Sequence, residues 1–194
     1  MNFHLQRLIE SFNHLLFWAA AVLLLWNVYM LVFNKGVPNI RTAPGVRKKI
    51  IEILKKDAAA KGRKNYTIID LGSGNGLLTR EIAAALPDAK VIGLEVSPSA
   101  LKWSEKARDR AGLKNLEYKK ADFFEYDMSG ADAVVMFLNI YMMEKIGKKL
   151  HENAKKGTLI TSNRFQLGDG WVPAEIVEAK TLYPFQKKLN VYRA

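Results

Sequence analysis

The chain has 194 residues, 49% hydrophobic and 25% charged, and Lys and Arg exceed Asp and Glu by 30 to 19. That balance fits one globular domain plus one extra segment, and an anionic partner such as a membrane surface or nucleic acid. Cysteine is absent and histidine occurs only as His4, His14 and His151, so a disulfide framework or Cys/His zinc site is excluded and no metal is expected. From Leu15 to Phe33 the chain reads LLFWAAAVLLLWNVYMLVF, without charge and with Asn27 as its one plainly polar side chain. As a helix it would be roughly 28 Å long, close to the roughly 30 Å hydrocarbon core of a bilayer. A cleavable signal peptide would have a shorter apolar region and a small-residue site after it, whereas FNKGVPNIR follows here. A core helix apolar on every face would need a larger domain than the remainder supplies. A membrane anchor over 1–34, spanning about 15–33, is therefore expected.

Arg7 and Glu10 precede the span, and Lys35, Arg41, Arg47, Lys48 and Lys49 follow it. The positive-inside rule then predicts a single-pass protein with its N-terminus outside and its C-terminal domain in the cytoplasm or an organellar equivalent. With no obvious transit peptide, a prokaryotic plasma membrane is favoured over an organellar one. Lys55, Lys56, Lys61, Arg63 and Lys64 continue the basic run. The run suits anionic lipid headgroups, although a merely solvated helix face has the same composition.

After the linker GVPNIRTAPG, Ile50, Ile51 and Leu54 form an apolar stripe that predicts a helix over 46–60, so 35–64 reads as a basic linker and first helix. Over 65–194, apolar runs bounded by turns recur at YTIIDL, AKVIGLEV, NLEYKKA, ADAVVMFL and GTLITSN, each a candidate strand. Helical patterns separate the early ones, from Leu77 to Leu86 and from Pro98 to Ala111, the second capped by Ser97 in front and Gly112 behind. That alternation predicts βαβ units in a doubly wound parallel sheet. AEIVEAKTLYP and KKLNVYRA predict an antiparallel hairpin at one edge.

The turn after the first strand, IIDLGSGNG, holds Gly72, Gly74 and Gly76. In such a sheet, ligands bind at the carboxyl ends of the strands, where this turn lies. A P-loop would need a Lys-Ser or Lys-Thr after the glycines, and none follows. A dinucleotide fingerprint would need glycine at position 77, which is Leu77. What stands there is an acid, Asp70, two residues ahead of G-x-G-x-G, and this resembles the first motif of class I S-adenosylmethionine-dependent methyltransferases, a Rossmann-like family with a seven-strand sheet. The resemblance implies S-adenosyl-L-methionine as cofactor, with glycines letting the backbone pass close beneath the ligand and Asp70 facing its ammonium group. Glu95, at the end of the second strand, is then expected at the ribose hydroxyls, and Asp122, at the end of the third, at the adenine, with Phe123 packing on the ring. Ser73, Val96 and Leu138 complete the expected cofactor set. Glu95 could otherwise be a plain strand end, and Asp122 a turn cap.

VPNIRT at 37–42, DLGSGNG, GLEVSP, FLNIYMMEKIGKKL at 137–150 and the stretch from Asn163 to Pro173 are similar to one branch, the small membrane-anchored protein-lysine methyltransferases. Its eukaryotic members act on mitochondrial ATP synthase c subunit and adenine nucleotide translocase. Asn39, Arg41 and Ile140 depart from that pattern, where the family shows Tyr, Pro and Pro. The resemblance implies N-methylation of a lysine on a membrane protein at the membrane surface. Asn139 and Tyr141 are expected to position the acceptor, and Phe165 and Trp171 to offer aromatic faces to a methylated ammonium, though core packing would equally explain each aromatic. Phospholipid amine methylation, RNA methylation and non-catalytic cofactor binding are the alternatives. Nucleic acid is disfavoured because Asn139 is followed by Ile140, Tyr141 and Met142 rather than the Pro-Pro-aromatic box of base amino methylation.

Overall fold

No glycine or proline interrupts the chain before Gly36, so the apolar stretch continues as helix well beyond 15–33. In the computed structural model, which describes residues 3–34, 40–62 and 66–194, α1 spans Phe3–Asn34. Its stretch Gln6–Tyr29 is long and apolar enough to cross a bilayer. The amide of Asn27 donates to the Leu23 carbonyl at 2.8 Å, which satisfies one of the polar group's donors within the helix. Of the expected juxtamembrane segment, Lys35, Val37, Pro38, Asn39, Arg63 and Lys64 lie outside the described residues. The chain divides into two units, Met1–Ile40 and Arg41–Ala194.

In the second unit α2 runs from Pro44 to Lys61. Proline at the first turn gives up an N–H that would have no partner there, and Gly62 ends the helix in the left-handed region at φ 57°. Val46, Ile50 and Leu54 are buried, so α2 is a structural layer of this unit. The strands and helices that follow are β1 (Thr67–Leu71), α3 (Leu77–Ala85), β2 (Lys90–Glu95), α4 (Pro98–Arg110), β3 (Leu116–Lys120), β4 (Ala133–Met136), α5 (Met143–Asn153), β5 (Leu159–Asn163), β6 (Glu175–Glu178) and β7 (Lys188–Arg193). They build one sheet in the order β3-β2-β1-β4-β5-β7-β6. The first five strands are parallel, and β7 pairs antiparallel with both β5 and β6. This is a Rossmann-like doubly wound sheet with C-terminal antiparallel strands at one edge, the fold that the resemblance implies.

Both faces of the sheet are covered, which is why its inner strands read as continuous apolar runs. Ile68, Val91 and Val135 point to the side packed by α2 and α3. Ile69, Ile92 and Val134 point to the side packed by α5. Between β4 and β5, where no helical pattern was expected, α5 runs with the stripe Met143, Ile146 and Leu150. Gly147 interrupts that stripe for a packing reason, since a Cβ there would lie 2.7 Å from the Gly168 carbonyl oxygen.

Part of the basic run is consumed inside the fold. Buried Asp57 accepts from Tyr66 Oη and pairs with Lys61 at 3.1 Å and Arg193 at 2.5 Å. Lys61 also donates to the carbonyls of Asp132 and Gly157. Arg47 pairs with Glu81 at 2.8 Å. Arg47 and Lys61 are therefore not available to headgroups as the charge pattern suggested, while Lys48, Lys55 and Lys56 are exposed.

Candidate active site at the glycine turn

The strand order reverses at β1: β2 and β3 lie on one side, β4 and β5 on the other. A crevice opens at such a reversal beyond the carboxyl ends of the strands, and there the glycine turn leaves β1. All three glycines have positive φ, 68° at Gly72, 55° at Gly74 and 69° at Gly76, a region other residues rarely enter. A Cβ on Gly72 would fall 3.0 Å from Leu138 Cδ2, and one on Gly76 would fall 2.1 Å from Tyr118 Oη. The turn is thus a bare-backbone cradle, floored by Leu138 from beyond β4 and propped by Tyr118 from β3.

Hydrogen bonds fix its shape. Ser73 N donates to the Leu94 carbonyl at 2.9 Å, and Gly76 N to the Ser73 carbonyl at 2.8 Å. Ser104 of α4, fully buried, donates to the Gly74 carbonyl at 3.0 Å. Tyr118 donates to the Gly76 carbonyl at 3.0 Å, and burial pushes its phenol up to about 12, so it stays a neutral donor. Ser73 Oγ is buried without a hydrogen-bond partner, an unmet polar group within the turn.

Glu95 meets the turn from the next strand. One carboxylate oxygen accepts from Gly74 N at 2.8 Å, and the other from Val96 and Ser97 N, each at 2.9 Å. Three of roughly four acceptor positions are occupied, leaving one for a hydroxyl donor. Asp70 lies under the turn, only 4% exposed, accepting from Thr79 Oγ1 at 2.6 Å. Burial pushes its carboxyl up to about 7; the Thr79 bond opposes this and nearby Glu95 adds to it. A cation placed against Asp70 would reverse that shift.

Asp122 does not end β3. That strand stops at Lys120, paired with Glu95, the last residue of β2, and without a partner strand the chain turns. Asp122 is exposed in that turn and caps it, accepting from Phe124 N at 2.9 Å. Phe123 packs inward with Leu94 and Leu138. The side chain of Asn139 likewise caps a 3-10 turn, its amide oxygen accepting from Tyr141 N at 3.1 Å, and Tyr141 itself is 89% exposed. Trp171 lies over α5, donating to the Gly147 carbonyl at 3.0 Å and stacking on His151 at 4.3 Å, so packing accounts for it. Phe165 stays near the carboxyl end of β5, but Arg164 covers its ring at 4.6 Å.

Thr79, Ser104 and Tyr118 have no signature in motif spacing; only the fold brings them to the turn. Arg41 was visible as a departure from the family pattern. With the Asn75 amide oxygen turned toward it, Arg41 donates Nε and Nη2 at 3.0 and 3.1 Å, placing a cation on the turn.

The glycine cradle with a carboxylate at its lip, at the reversal of a seven-strand sheet, agrees with the comparisons. The signature of the ANTKMT methyltransferase domain matches residues 70–175, just over half of the chain. The chain belongs to that family. A protein-lysine N-methyltransferase of Saccharolobus islandicus is 28% identical over 145 residues, covering 74% of this chain and 86% of that protein. A carboxy-S-adenosyl-L-methionine synthase of Nautilia profundicola is 29% identical over 145 residues, covering 69% and 58%. The structure of an RNA methyltransferase from Salinibacter ruber in complex with S-adenosyl-L-homocysteine superposes with a TM-score of 0.66 at 25% identity, covering 79% of this chain and 93% of that one. The protein is a methyltransferase that uses S-adenosylmethionine, and the cradle, the orphaned Ser73 hydroxyl and the Glu95 carboxylate suit that ligand.

Proposed function

We propose that this methyltransferase N-methylates a lysine of a membrane protein at a membrane surface. The observation that carries the acceptor class is the match to the Saccharolobus islandicus protein-lysine N-methyltransferase across 86% of its length. The location rests on the apolar stretch Gln6–Tyr29 of α1. The bound cofactor supplies a sulfonium methyl group that a neutral amine can accept. In this reading the backbone of Gly72, Ser73, Gly74 and Gly76 passes beneath the cofactor, Asp70 faces its ammonium and Glu95 accepts from its ribose. Val96, Asp122, Phe123 and Leu138 border the adenine. A lysine, with a reference pKa of about 10.4, attacks only after losing its proton, and a dry pocket favours that form. Leu138 and half-buried Phe137 provide such a wall beside Gly72, and Asn139 and Tyr141 position the incoming side chain. Most of the rate then comes from orientation, which in well-placed intramolecular reactions is worth on the order of 7 to 11 kcal/mol.

The test is methyl transfer from labelled S-adenosylmethionine by the full chain in lipid, supplied with membranes of its own source. Label is expected in a protein band and, after hydrolysis, on methylated lysine. Label confined to extractable lipid or to RNA would defeat the lysine reading.

A further inference from the structure

The pairings Asn163 with Leu189 and Glu178 with Lys188 place the connection between β6 and β7 at the carboxyl edge of the parallel strands. That is the edge that holds the glycine turn and Tyr141. This connection, AKTLYPFQK, has no acidic residue. Its base is pinned: buried Gln186 accepts from Ala43 N at 2.7 Å and Asn163 Nδ2 at 3.1 Å, and donates to the Arg41 carbonyl at 3.0 Å. Arg164 lies over the Phe185 ring at 5.4 Å, and the rest of the tip is uncovered. Leu182 is 96% exposed, Tyr183 50% and Phe185 40%, the two rings touching edge to face with centroids 6.0 Å apart. Exposed Lys180, Lys187 and Lys188 flank them.

A single exposed leucine needs no explanation, but an apolar and aromatic tip between lysines does. Apolar groups that enter the acyl boundary, aromatic rings at headgroup depth and cations for anionic headgroups form the composition of a membrane-interface element. We infer that the β6–β7 loop is a second membrane contact, which lays the rim of the active site on an anionic lipid surface. The inference rests on the membrane location given above for the enzyme as a whole. Its occupant is the bilayer because the loop is uniformly cationic, and because Gln186 ties it to residues 41–43, the first of this unit after the apolar helix in the chain. An acceptor lysine near the headgroups would then enter the site without leaving the interface.

The absence of native cysteine makes the test direct. Single-cysteine variants Leu182→Cys, Leu24→Cys and Lys114→Cys of the full chain are nitroxide-labelled and placed in phosphatidylcholine vesicles with phosphatidylglycerol. Lys114 is exposed just before β3, at the opposite edge of the sheet. Accessibility to oxygen and to a water-soluble nickel chelate is compared. The label at 182 is expected to favour oxygen, as at 24, and to shift toward the chelate in purely zwitterionic vesicles at about 0.5 M salt, where headgroup attraction is screened. A label at 182 as wet as the label at 114 overturns the loop contact, and with 24 in lipid the anchor survives it. A wet label at 24 instead defeats the anchor while 182 still decides the loop. Burial of 182 only after a membrane protein is added would make the loop a protein-binding surface, and also overturns the inference.

Discussion

The cofactor affinity should depend on the ionisation of one buried group. Asp70 is 4% exposed, bonded to Thr79, and held at about 7 rather than 3.8. Folding therefore takes up a proton between those values, so the contribution of this group to stability is greatest below pH 3.8 and falls as pH rises toward 7. The shift corresponds to about 4 kcal/mol lost across that interval. If the cofactor's ammonium sits against Asp70, binding requires the carboxylate and expels the proton. The ionised fraction rises from about 3% at pH 5.5 to about 76% at pH 7.5, while a free α-amino group keeps about 60% of its charge at the upper end, so affinity should strengthen about 15-fold between them. An α-amino group is half neutral at its pKa of about 7.7 and already loses charge by pH 7.5, which sets the upper limit of the window. Titration calorimetry in two buffers of different ionisation enthalpy measures both affinity and proton release. About 0.9 proton should be released at pH 6. Asp70→Asn, which keeps an acceptor for Thr79, should bind more weakly at pH 7.5 and lose the pH dependence. A flat affinity from pH 5.5 to 7.5, or an Asp70→Asn variant that binds as well as the parent, would refute the placement of Asp70 under the ammonium.

Three further substitutions probe how the fold supports the site. Gly76→Ala combines a left-handed φ with a Cβ driven into Tyr118 and should cost about 2–5 kcal/mol, read as a lower melting temperature of the full chain in micelles; melting within about a degree of the parent would show the cradle to be tolerant. Asn115 Nδ2 donates to the carbonyls of Ala83, Leu86 and Ala89 at 3.0 to 3.1 Å, so Asn115→Ala should lose about 1–3 kcal/mol in denaturant titration. Burial alone would raise Asp57, but hydrogen bonds from Tyr66, Arg193 and Lys61 outweigh it and hold the carboxyl below its usual 3.8. That stability is complete above pH 3.8 and lost as pH falls through the lowered value. Asp57→Asn should cost about 3 kcal/mol at neutral pH, toward the low end because Arg193 is half exposed, and should flatten the acid limb of a pH–stability curve. An unchanged acid limb would locate acid sensitivity elsewhere.

The ligand cradle was legible because its constraint is local. Glycine at 72, 74 and 76 with leucine at 77 excludes the dinucleotide geometry before any tertiary contact is known, and Glu95 stands at its strand end as read. Asp122 was not legible in the same way, because whether a strand continues past Lys120 depends on whether its neighbour does. The stripe of α5 was hidden by Gly147, whose role becomes visible only when the Gly168 carbonyl packs on it.

Composition and period alone determined the apolar helix, the alternation of strands and helices and the antiparallel pair at the end. Each follows from backbone preference or side-chain polarity within a few residues. Only the tertiary structure decided which charges face outward. Arg47 and Lys61 read as surface cations, yet they are drawn inward by Glu81 and by Asp57, since a buried carboxylate must find cations wherever the chain brings them. The same holds for Tyr118 and Thr79, distant in sequence from the groups they support. It holds too for the uncovered tip at Leu182, which follows Ala179 in sequence but faces solvent while Ala179 is buried. Pairing across the sheet, not local pattern, sets which of those side chains the fold covers.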